Sequence, residues 1–519
     1  METAFLAYLG PSLFVLAAAW LFFRPGRRPF AALRGSEVAA IGATGAALAS
    51  TVFLAVEGAS AATLVSVAGY GFSARLDAVS VTMAVLVSFV GWVVLRYSRV
   101  YMDGEARQGA FTAWICLTLA AVLLLVTAGN LVQLVFGWFA VGLGLMRLLL
   151  TYSERLGARR VVQKNQFVAR LSDISLIGAT LALAATFGTG DIGAILSGAA
   201  KADGALLWVA ALGLALAAIL KSAQLPFHGW LTEVMEAPTP VSALLHAGVI
   251  NAGGFLLIRF ADVMLTAPLV LAGLLMIGGL SALVGGLVML TQPAVKTSLA
   301  WSTVAQMGFM ILQCGLALFP LALLHIVAHS LYKAHAFLAS GEAVARVAEA
   351  RRPGPIAIPD SKAVLRAFVA ALVIYGIVGS VFGLLSKSPQ AVALGAILIF
   401  GVAYLLAQGF ADAAPRALTR RTALWSVAAS GSYFALQSLA DWMTRDVLPP
   451  TPVPGPLEWA LIILALVTFG ATAIAQATFP LWSGHPSVAG FRVHVANGFY
   501  INALIDRWIG NWRNKEARA

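Results

Sequence analysis

One lysine lies inside a stretch that otherwise predicts a membrane-spanning helix. Lys221 follows the apolar run 205–220, and Pro226 comes five residues later, within KSAQLPFHGWLTEVMEAPTPVSALLHAG. Proline removes a backbone donor and disrupts the preceding helical turn, so we expect a broken span here. A charge at the bilayer centre costs about 2.5–3.5 kcal/mol, and such residues usually serve proton or ion movement. Lys221 is therefore the first candidate for ion handling, and a lysine that only reaches to the membrane surface is the alternative.

Other ionisable residues lie within or beside the predicted spans. His325, His329 and Lys333 are spaced i, i+4 and i+8, so they share one helix face. Imidazole titrates near neutral pH, which suits a proton relay, and histidines that only pack and hydrogen-bond are the alternative. The candidate proton or ion path contains Lys221, Asp173, Arg170, His246, Glu236, Lys296, His325, His329, Lys333 and Lys387.

Several of these residues have a second interpretation. Arg170 and Asp173 are three residues apart on one helix face and could form a structural ion pair. Lys296 begins a predicted span and could reach the membrane surface. Lys387 precedes Pro389, which indicates a second break. Interrupted helices at corresponding positions of two halves are typical of transporters built from inverted repeats.

The sequence contains no recognisable site for covalent catalysis. It lacks a nucleotide-binding glycine loop, and the histidines and two cysteines lack a convincing zinc-ligand spacing. Asp77, which opens the third span, is expected to be a helix cap. We therefore expect no catalytic residue, no metal and no cofactor on this chain.

The composition is that of a membrane protein. Of the 519 residues, 60% are hydrophobic and only 11% are charged, and the mean hydropathy is +0.88. The net charge of +12 could suggest nucleic-acid binding. However, the basic residues lie in short loops between apolar runs, which is the topology signal of membrane proteins. The lipid bilayer is therefore the expected partner, and nucleic acid is not.

We predict an all-α polytopic membrane protein of about 15 transmembrane helices, with two inverted five-helix repeats that each contain a broken helix. The predicted spans are 3–23, 36–57, 77–95, 109–128, 130–151, 164–187, 204–236, 239–260, 268–290, 294–315, 319–342, 363–386, 390–411, 420–441 and 457–479. The predicted divisions are N-terminal helices 1–108, repeats 109–260 and 268–411, C-terminal helices 412–479 and a tail 480–519.

Basic residues concentrate in every second loop, for example in 24–35, 96–107 and 155–164. By the positive-inside rule, the N-terminus is external and the C-terminus cytoplasmic, in a multi-pass protein of the cell inner (plasma) membrane. The tail 480–519 mixes tryptophans with basic residues. It could lie along the membrane face as an amphipathic segment or serve as a docking surface, and both interpretations stay open.

The stretch that begins at Lys221 resembles the signature of the antiporter-like subunits of respiratory complex I and of Mrp-type cation/proton antiporters. The similarity covers at least residues 75–390 and includes RLDAVSVTMAVLVSFVGWVVLRYSRVYM, KNQFVARLSDISL, VKTSLAWSTVAQMGFM and HIVAHSLYKAHAFLASGE. The resemblance implies that Lys221 is a central proton-handling group. It also implies that Lys333 and Lys387, with His325 and His329, continue a hydrophilic axis through the bilayer.

The chain departs from complex I subunits at one informative position. Where they carry a glutamate in a GWEGVGL-like motif, this chain has Phe139, and Arg147 follows two turns later. This loss, the compact length and the tail HVANGFYINALIDRW together resemble the DabB family, membrane subunits of the DAB inorganic carbon accumulation complex. The family resemblance implies a large peripheral cytoplasmic zinc-containing partner, DabA, whose zinc site resembles that of a β-carbonic anhydrase.

The resemblance implies that a gradient of protons or sodium ions drives vectorial CO2 hydration on that partner and traps bicarbonate. The alternative is a cation/proton antiporter subunit of Mrp type or a complex I-like NADH-quinone oxidoreductase subunit, against which Phe139 argues. A purely structural membrane anchor is a third hypothesis. Lysines inside the spans argue against an anchor, because an anchor would gain stability by losing them.

Overall fold

The computed structural model describes residues 2–341, 360–410 and 416–509. The first part of the chain is helical apart from one β-hairpin. Its elements are α1 (Leu9–Phe22), α2 (Phe30–Glu57), β1 (Ser60–Val67), β2 (Tyr70–Leu76), α3 (Ala78–Tyr101), α4 (Gln108–Val126), α5 (Leu131–Leu149), α6 (Leu156–Phe187), α7 (Ile192–Ala199), α8 (Ala205–Lys221), α9 (Gly229–Thr232), α10 (Thr239–Ala247), α11 (Ala252–Arg259) and α12 (Ala261–Leu265).

The second part of the described chain is also helical. Its elements are α13 (Pro268–Met289), α14 (Val295–Gly315), α15 (Phe319–Leu338), α16 (Ser361–Val381), α17 (Pro389–Gly409), α18 (Arg416–Thr444), α19 (Pro456–Ala477), α20 (Phe479–Trp482), α21 (Pro486–Ala496) and α22 (Ile501–Ile509).

The helices confirm the predicted polytopic membrane fold. Within the described residues, eleven helices are long and apolar enough to cross a membrane, and two shorter apolar helices are 205–221 and 389–403. Helices occupy each of the fifteen predicted spans, since α14 and α18 fill the two remaining positions, and the spans 204–236 and 239–260 are each divided between two helices. The predicted span ends at 342 and 411 lie outside the described residues. The division of the chain into two five-helix repeats stays a prediction.

A β-hairpin precedes α3 where the sequence analysis predicted only a connection. β1 pairs antiparallel with β2, from Ser60 opposite Leu76 to Val67 opposite Tyr70. Gly69 completes the turn at a φ of 83°, a left-handed conformation that glycine adopts without strain. The hairpin is anchored to the membrane helices, because the Arg75 amide donates to the Thr127 carbonyl over 2.9 Å. This hairpin delivers the chain to the start of α3.

Asp77 caps α3, as predicted, and also carries a buried ion pair. Its side chain accepts from the Ser80 amide, and the Ser80 hydroxyl reciprocates at the Asp77 amide, which forms a capping box. Arg259 at the end of α11 donates to both carboxylate oxygens, and Arg75 donates to one of them over 2.7 Å. Asp77 and Arg259 are almost completely buried. The pair therefore fastens α3 to the end of α11.

Close helix packing builds the core. α6 packs along α8, and α13 packs along α14. A Cβ added to Gly278 would lie 2.6 Å from the Gly308 carbonyl oxygen, so only glycine permits this crossing of α13 and α14. Small residues commonly allow membrane helices to approach in this way. Buried side chains of α16, α17 and α18 form a cluster separate from the main core.

The described part of the tail packs against its own chain. The Gln292 side chain, which follows α13, donates to the Ala496 carbonyl oxygen of α21 over 3.1 Å. An ion pair joins Asp506 of α22 to Lys164 of α6, and the Asn502 amide group of α22 donates to Glu233, the residue that follows α9. The tail therefore contacts the end of the broken span. Residues 510–519 of the predicted tail lie outside the described residues.

Candidate ion path

The predicted break follows directly after Lys221. α8 ends at this residue, and α9 begins only at Gly229. A side chain of α13 accepts from one backbone amide that the break exposes, and a side chain of the break donates to the backbone of the neighbouring span. The Leu225 amide donates to the Ser281 hydroxyl over 3.2 Å, and the Ser222 hydroxyl donates to the Ile250 carbonyl over 3.1 Å. Irregular backbone here is thus enclosed by protein, which is the condition for tolerating it at membrane depth.

The Lys221 ammonium group faces an aromatic ring. Its Nζ lies 4.7 Å from the centroid of the Trp138 ring on α5, which is a cation–π distance. The Lys221 side chain is 92% buried, with a relative exposure of 8%. Among the described residues, it makes no hydrogen bond or direct ion pair. A lysine buried in this way changes its proton affinity readily with its surroundings, which is compatible with the predicted role in ion handling.

Asp173 is the carboxylate whose charge acts on Lys221 among the described residues. It lies on α6, which packs along α8. The adjacent Ser172 hydroxyl donates to the Ala217 carbonyl over 2.9 Å, one turn before Lys221, and this bond aligns the two helices. Phe139 supplies no charge, and Arg147 stacks on Trp114 at 5.5 Å instead of replacing the glutamate. Asp173 therefore provides a negative charge for Lys221 from a different helix.

The neighbouring span is also interrupted. The predicted continuous span 239–260 consists of α10, a 3₁₀ turn at Val249–Asn251 and α11. The Asn251 amide group donates to the Ala247 carbonyl over 3.0 Å and to the Ser330 hydroxyl of α15 over 2.9 Å. Because Ser222 already bonds to Ile250, the two interruptions adjoin each other. Together they form a polar connection from the Lys221 break to α15.

The histidines of α10 and α15 contact each other along this connection. His246 Nδ1 lies 2.9 Å from the Thr303 hydroxyl of α14, and its ring stacks on Phe337 at 4.3 Å. His329 Nε2 donates to the His246 carbonyl oxygen over 3.1 Å. The His325 and His329 ring centroids are 6.1 Å apart. This geometry allows a relay through a small number of waters between neighbouring imidazoles.

Lys333 lies at one end of the histidine stripe and is completely buried. Its Nζ donates to the Leu299 carbonyl over 3.0 Å and to the Ser302 hydroxyl over 2.9 Å. Both acceptors are neutral groups of α14. Among the described residues, no carboxylate is in direct contact with Lys333. Its ammonium group can therefore carry or release a proton without a directly paired negative charge.

The other end of the stripe opens into a crevice of about 700 Å³. His325 and His329 line it from α15, Gln306 and Gln313 line it from α14, and Tyr433 lines it from α18. These polar groups give water hydrogen-bond partners beside His325. We call the connected set Lys221, Ser222, Asn251, His246, Ser330, Lys333, His329 and His325 the polar axis.

Four predicted site residues lie apart from the polar axis: Glu236, Arg170 and Lys296, and also Lys387 near the second interruption. Glu236 forms an ion pair with Arg155 over 2.8 Å, and both side chains are about half exposed. Arg170 is exposed on α6 and forms no ion pair with Asp173, so the structural-pair interpretation is wrong. Lys296 is partly exposed at the start of α14. Within the described chain, no contact joins these three to the axis.

Lys387 lies between α16 and α17, after a 3₁₀ turn at Leu384–Ser386. These two helices pack against each other. The second interruption therefore connects two neighbouring helices, whereas the first one divides a span. The charge of Lys387 acts on Asp441 of α18. No contact among the described residues joins Lys387 to the polar axis.

The sequence analysis did not identify the neutral members of the axis. Asn251, Ser222 and Ser330 carry no charge, and a search for ionisable groups inside spans passes over them. A usable signal was present in HAGVINAGG, where Asn251 lies among glycines in an apolar stretch. Polar residues in such a stretch often hydrogen-bond between membrane helices.

Two family models match this chain. The model described as "NADH:quinone oxidoreductase/Mrp antiporter, TM" matches residues 128–353, which contain the whole polar axis. The model described as "NADH-Ubiquinone oxidoreductase (complex I), chain 5 N-terminus" matches residues 65–112. The probable inorganic carbon transporter subunit DabB2 of Halothiobacillus neapolitanus is 35% identical over 86% of this chain and 82% of its own length. The chain belongs to the DabB family.

A second DabB protein is similar over a shorter region. The probable inorganic carbon transporter subunit DabB of Hydrogenovibrio crunogenus is 41% identical over 51% of this chain and 52% of its own length. A chain in the structure of the Mrp complex from Dietzia sp. matches 99% of this chain with a TM-score of 0.63, at 22% identity. The present chain spans 61% of that longer one. This likeness shows a shared fold. The DabB relatives, the antiporter family model and the eleven apolar helices identify the chain as an antiporter-like, multi-pass membrane subunit.

Replacing Asp173 with asparagine should reduce ion-coupled transport by about tenfold, which corresponds to about 1.4 kcal/mol. The reason is that Asp173 supplies the charge that acts on Lys221. Initial transport rates in membrane vesicles measure the effect, and Asp203→Asn, an exposed aspartate, is the matched control. Asp173→Glu should retain more activity than Asp173→Asn. Equal rates for Asp173→Asn and the unmodified chain would exclude this role.

Proposed function

We propose that this chain is the proton- or sodium-conducting, energy-coupling membrane subunit of an inorganic carbon accumulation complex. The observation that carries the proposal is the polar axis, which joins a broken span to a histidine-containing helix in a DabB-family chain. A buried lysine and buried histidines reduce the stability of a membrane protein. Their connection through two interrupted spans is explained by ion movement.

The two buried lysines have different surroundings, so the two ends of the polar axis are electrostatically different. Lys221 interacts with a ring and with the charge of Asp173. Lys333 interacts with a carbonyl and a hydroxyl of α14. A proton that moves from Lys221 to Lys333 leaves the Asp173 carboxylate without the positive charge of Lys221. This change in electrostatic energy can favour a different arrangement of the neighbouring helices. The rearranged helices would then act on the partner subunit.

The chemistry of carbon accumulation would take place on a partner. We propose that a large peripheral cytoplasmic zinc-containing subunit, DabA, hydrates CO2 and that this chain makes hydration vectorial. This chain would have no catalytic residue and no cofactor of its own, and zinc would belong to the partner. The assembly would lie in the cell inner membrane, with the C-terminus of this chain in the cytoplasm, as its basic loops indicate.

Purification of the chain from its native membrane in mild detergent tests this assembly. We expect one large soluble protein to co-purify, with about one zinc ion per partner chain if its site has the usual single-metal form. Mass spectrometry identifies the proteins, and elemental analysis measures zinc. The same preparation from cells that lack the chain is the control. A preparation without a large zinc-containing protein would contradict the proposed complex.

An antiporter subunit of Mrp type or a complex I-like subunit is the second candidate. The match to the antiporter model over residues 128–353 favours it. The same purification separates the possibilities. Several small membrane subunits without zinc would indicate an Mrp-type antiporter, and subunits with flavin and iron–sulfur clusters would indicate a respiratory complex. The uncharged Phe139 argues for the carbon accumulation complex.

A further inference from the structure

The tail helix α22 has two different faces. Asn502 and Asp506 are four residues apart and point toward the membrane helices, where Asp506 is buried. Leu504 and Trp508 are also four residues apart and are 62% and 77% exposed. The polar side of this helix is therefore the side that packs against the rest of the chain. This arrangement is the reverse of a helix that packs through its apolar face.

A buried ion cluster holds the polar face in place. Lys164 Nζ on α6 donates to Asp506 over 2.7 Å and to Glu233 over 2.7 Å. Arg160, one turn earlier on α6, donates to Asp506 over 2.8 Å. Lys164 and Asp506 are both almost completely buried. Because removing one partner from a buried pair leaves an uncompensated charge, Asp506 contributes strongly to keeping α22 in place.

The tail also covers the end of the broken span. The Asn502 amide group donates to Glu233, directly after α9. A Cβ added to Gly229, the first residue of α9, would overlap the Asn502 side chain. At Gly498, a Cβ would lie 3.0 Å from the Trp301 ring of α14. The tail therefore lies against both elements that enclose the break on this side.

The residue beneath this cover is His228. Its ring lies 4.8 Å from the Trp301 ring, and it is fully buried. Among the described residues, neither ring nitrogen of His228 has a well-aligned hydrogen-bond partner, and only the Pro226 backbone lies close enough for a weak one. A buried polar side chain without well-formed hydrogen bonds is costly, and a water molecule or an ion that reaches it would remove that cost. His228 belongs to the segment that follows Lys221, and the tail contacts its two neighbours, Gly229 and Trp301.

We propose that the tail segment 486–509 is a lid over this end of the polar axis and that Asp506, through Lys164, holds the lid shut. Movement of α22 away from Gly229 exposes the break and lets water reach the His228 ring. Asp506 is thus a positioning residue, since it acts on the axis through Lys164 and Glu233. The mechanistic consequence rests on the proposed ion path, whereas the lid itself can be tested without transport.

Amide hydrogen exchange on the full-length chain in its complex tests the lid. Two variants open it by different routes: Asp506→Asn removes the charge that holds α22, and Gly229→Ala inserts a methyl group against Asn502. We expect exchange in 226–238 to accelerate at least about tenfold in both, the effect of losing a buried ion pair or a close contact. Asp446→Asn, which alters an exposed ion pair with Arg445, is the matched control and should change nothing.

A second substitution provides a specific rescue. Asn502→Ala removes the side chain that the new methyl group of Gly229→Ala would strike. The double variant should therefore exchange more slowly in 226–238 than Gly229→Ala alone. This reversal distinguishes a displaced lid from general loss of folding, which would also accelerate exchange in 78–101.

Unchanged exchange in 226–238 for both opening variants would overturn the proposal, whether or not 501–509 becomes mobile. The proposal would also be overturned if the double variant exchanged as fast as Gly229→Ala in 226–238 and exchange in 78–101 became faster as well. The exchange result is independent of the transported ion. A negative result for the lid leaves the ion path standing, and a negative transport result for the lysine variants leaves the lid standing.

Discussion

Replacing Lys221 or Lys333 with alanine is expected to abolish ion-coupled inorganic carbon uptake while leaving the complex assembled. Both side chains are buried and occupy the two cationic positions of the polar axis. Positioned proton-transfer groups typically accelerate their reactions about 10²–10⁴-fold, so their removal should bring uptake to background. Assembly should survive, because alanine removes a buried charge without leaving a directly paired carboxylate behind.

Uptake of labelled inorganic carbon by cells that express the complex measures the effect, and gel filtration reports assembly. Lys201→Ala is the matched control, since Lys201 is exposed outside the spans. Lys221→Arg separates two roles of the lysine, because arginine keeps its charge but does not release a proton. We expect Lys221→Arg to be inactive. Full activity in Lys221→Ala and Lys333→Ala would exclude the polar axis as the ion path. Activity in Lys221→Arg alone would indicate that Lys221 acts as a permanent positive charge and does not release a proton.

Replacing Asp77 with alanine is expected to destabilise the protein by about 3–5 kcal/mol, the usual cost of breaking a buried ion pair. The substitution leaves the Arg259 guanidinium buried without its carboxylate. It also removes the cap of α3, which adds about 0.5–2 kcal/mol. Because Asp77 joins the hairpin, α3 and α11, the loss should lower the yield of folded protein.

Thermal unfolding in detergent, followed by tryptophan fluorescence, measures this loss. The matched control is Asp103→Ala, which breaks an ion pair with Arg28 in which both side chains are about half exposed. Exposed pairs contribute about 0–1 kcal/mol, so the control should unfold almost normally. If Asp77→Ala and Asp103→Ala unfolded at the same temperature, the Asp77–Arg259 pair would not be a structural fastening.

The membrane fold could be predicted from the sequence because it depends on local properties. A run of about 20 apolar residues must form a helix in lipid, since the backbone has no other hydrogen-bond partner. Helices therefore occupy each predicted span. The relatives confirm the resemblance to the DabB family. The break after Lys221 was also predictable, because Pro226 prevents α8 from continuing as a regular helix. The cap at Asp77 follows from the same local reasoning.

The partners of the candidate residues could not be predicted, because they come from distant parts of the chain. Asp173 acts on Lys221 across two packed helices, whereas its spacing in the sequence equally allowed an ion pair with Arg170. Glu236 was close to the break in sequence, yet it pairs with Arg155 at an exposed position. The interruption at Val249–Asn251 has no proline to announce it.

The sequence by itself determined the helices, the first break and the ionisable stripe of α15, because hydrophobic length, proline and helical spacing are local constraints. The tertiary structure decided which of these groups meet. Ser222 and Asn251 join the break to α15, and Asp506 reaches Lys164 from more than 300 residues away in the chain. The physical reason is that hydrogen bonds and ion pairs act over a few ångströms, and only the packing of helices brings such distant residues within that range.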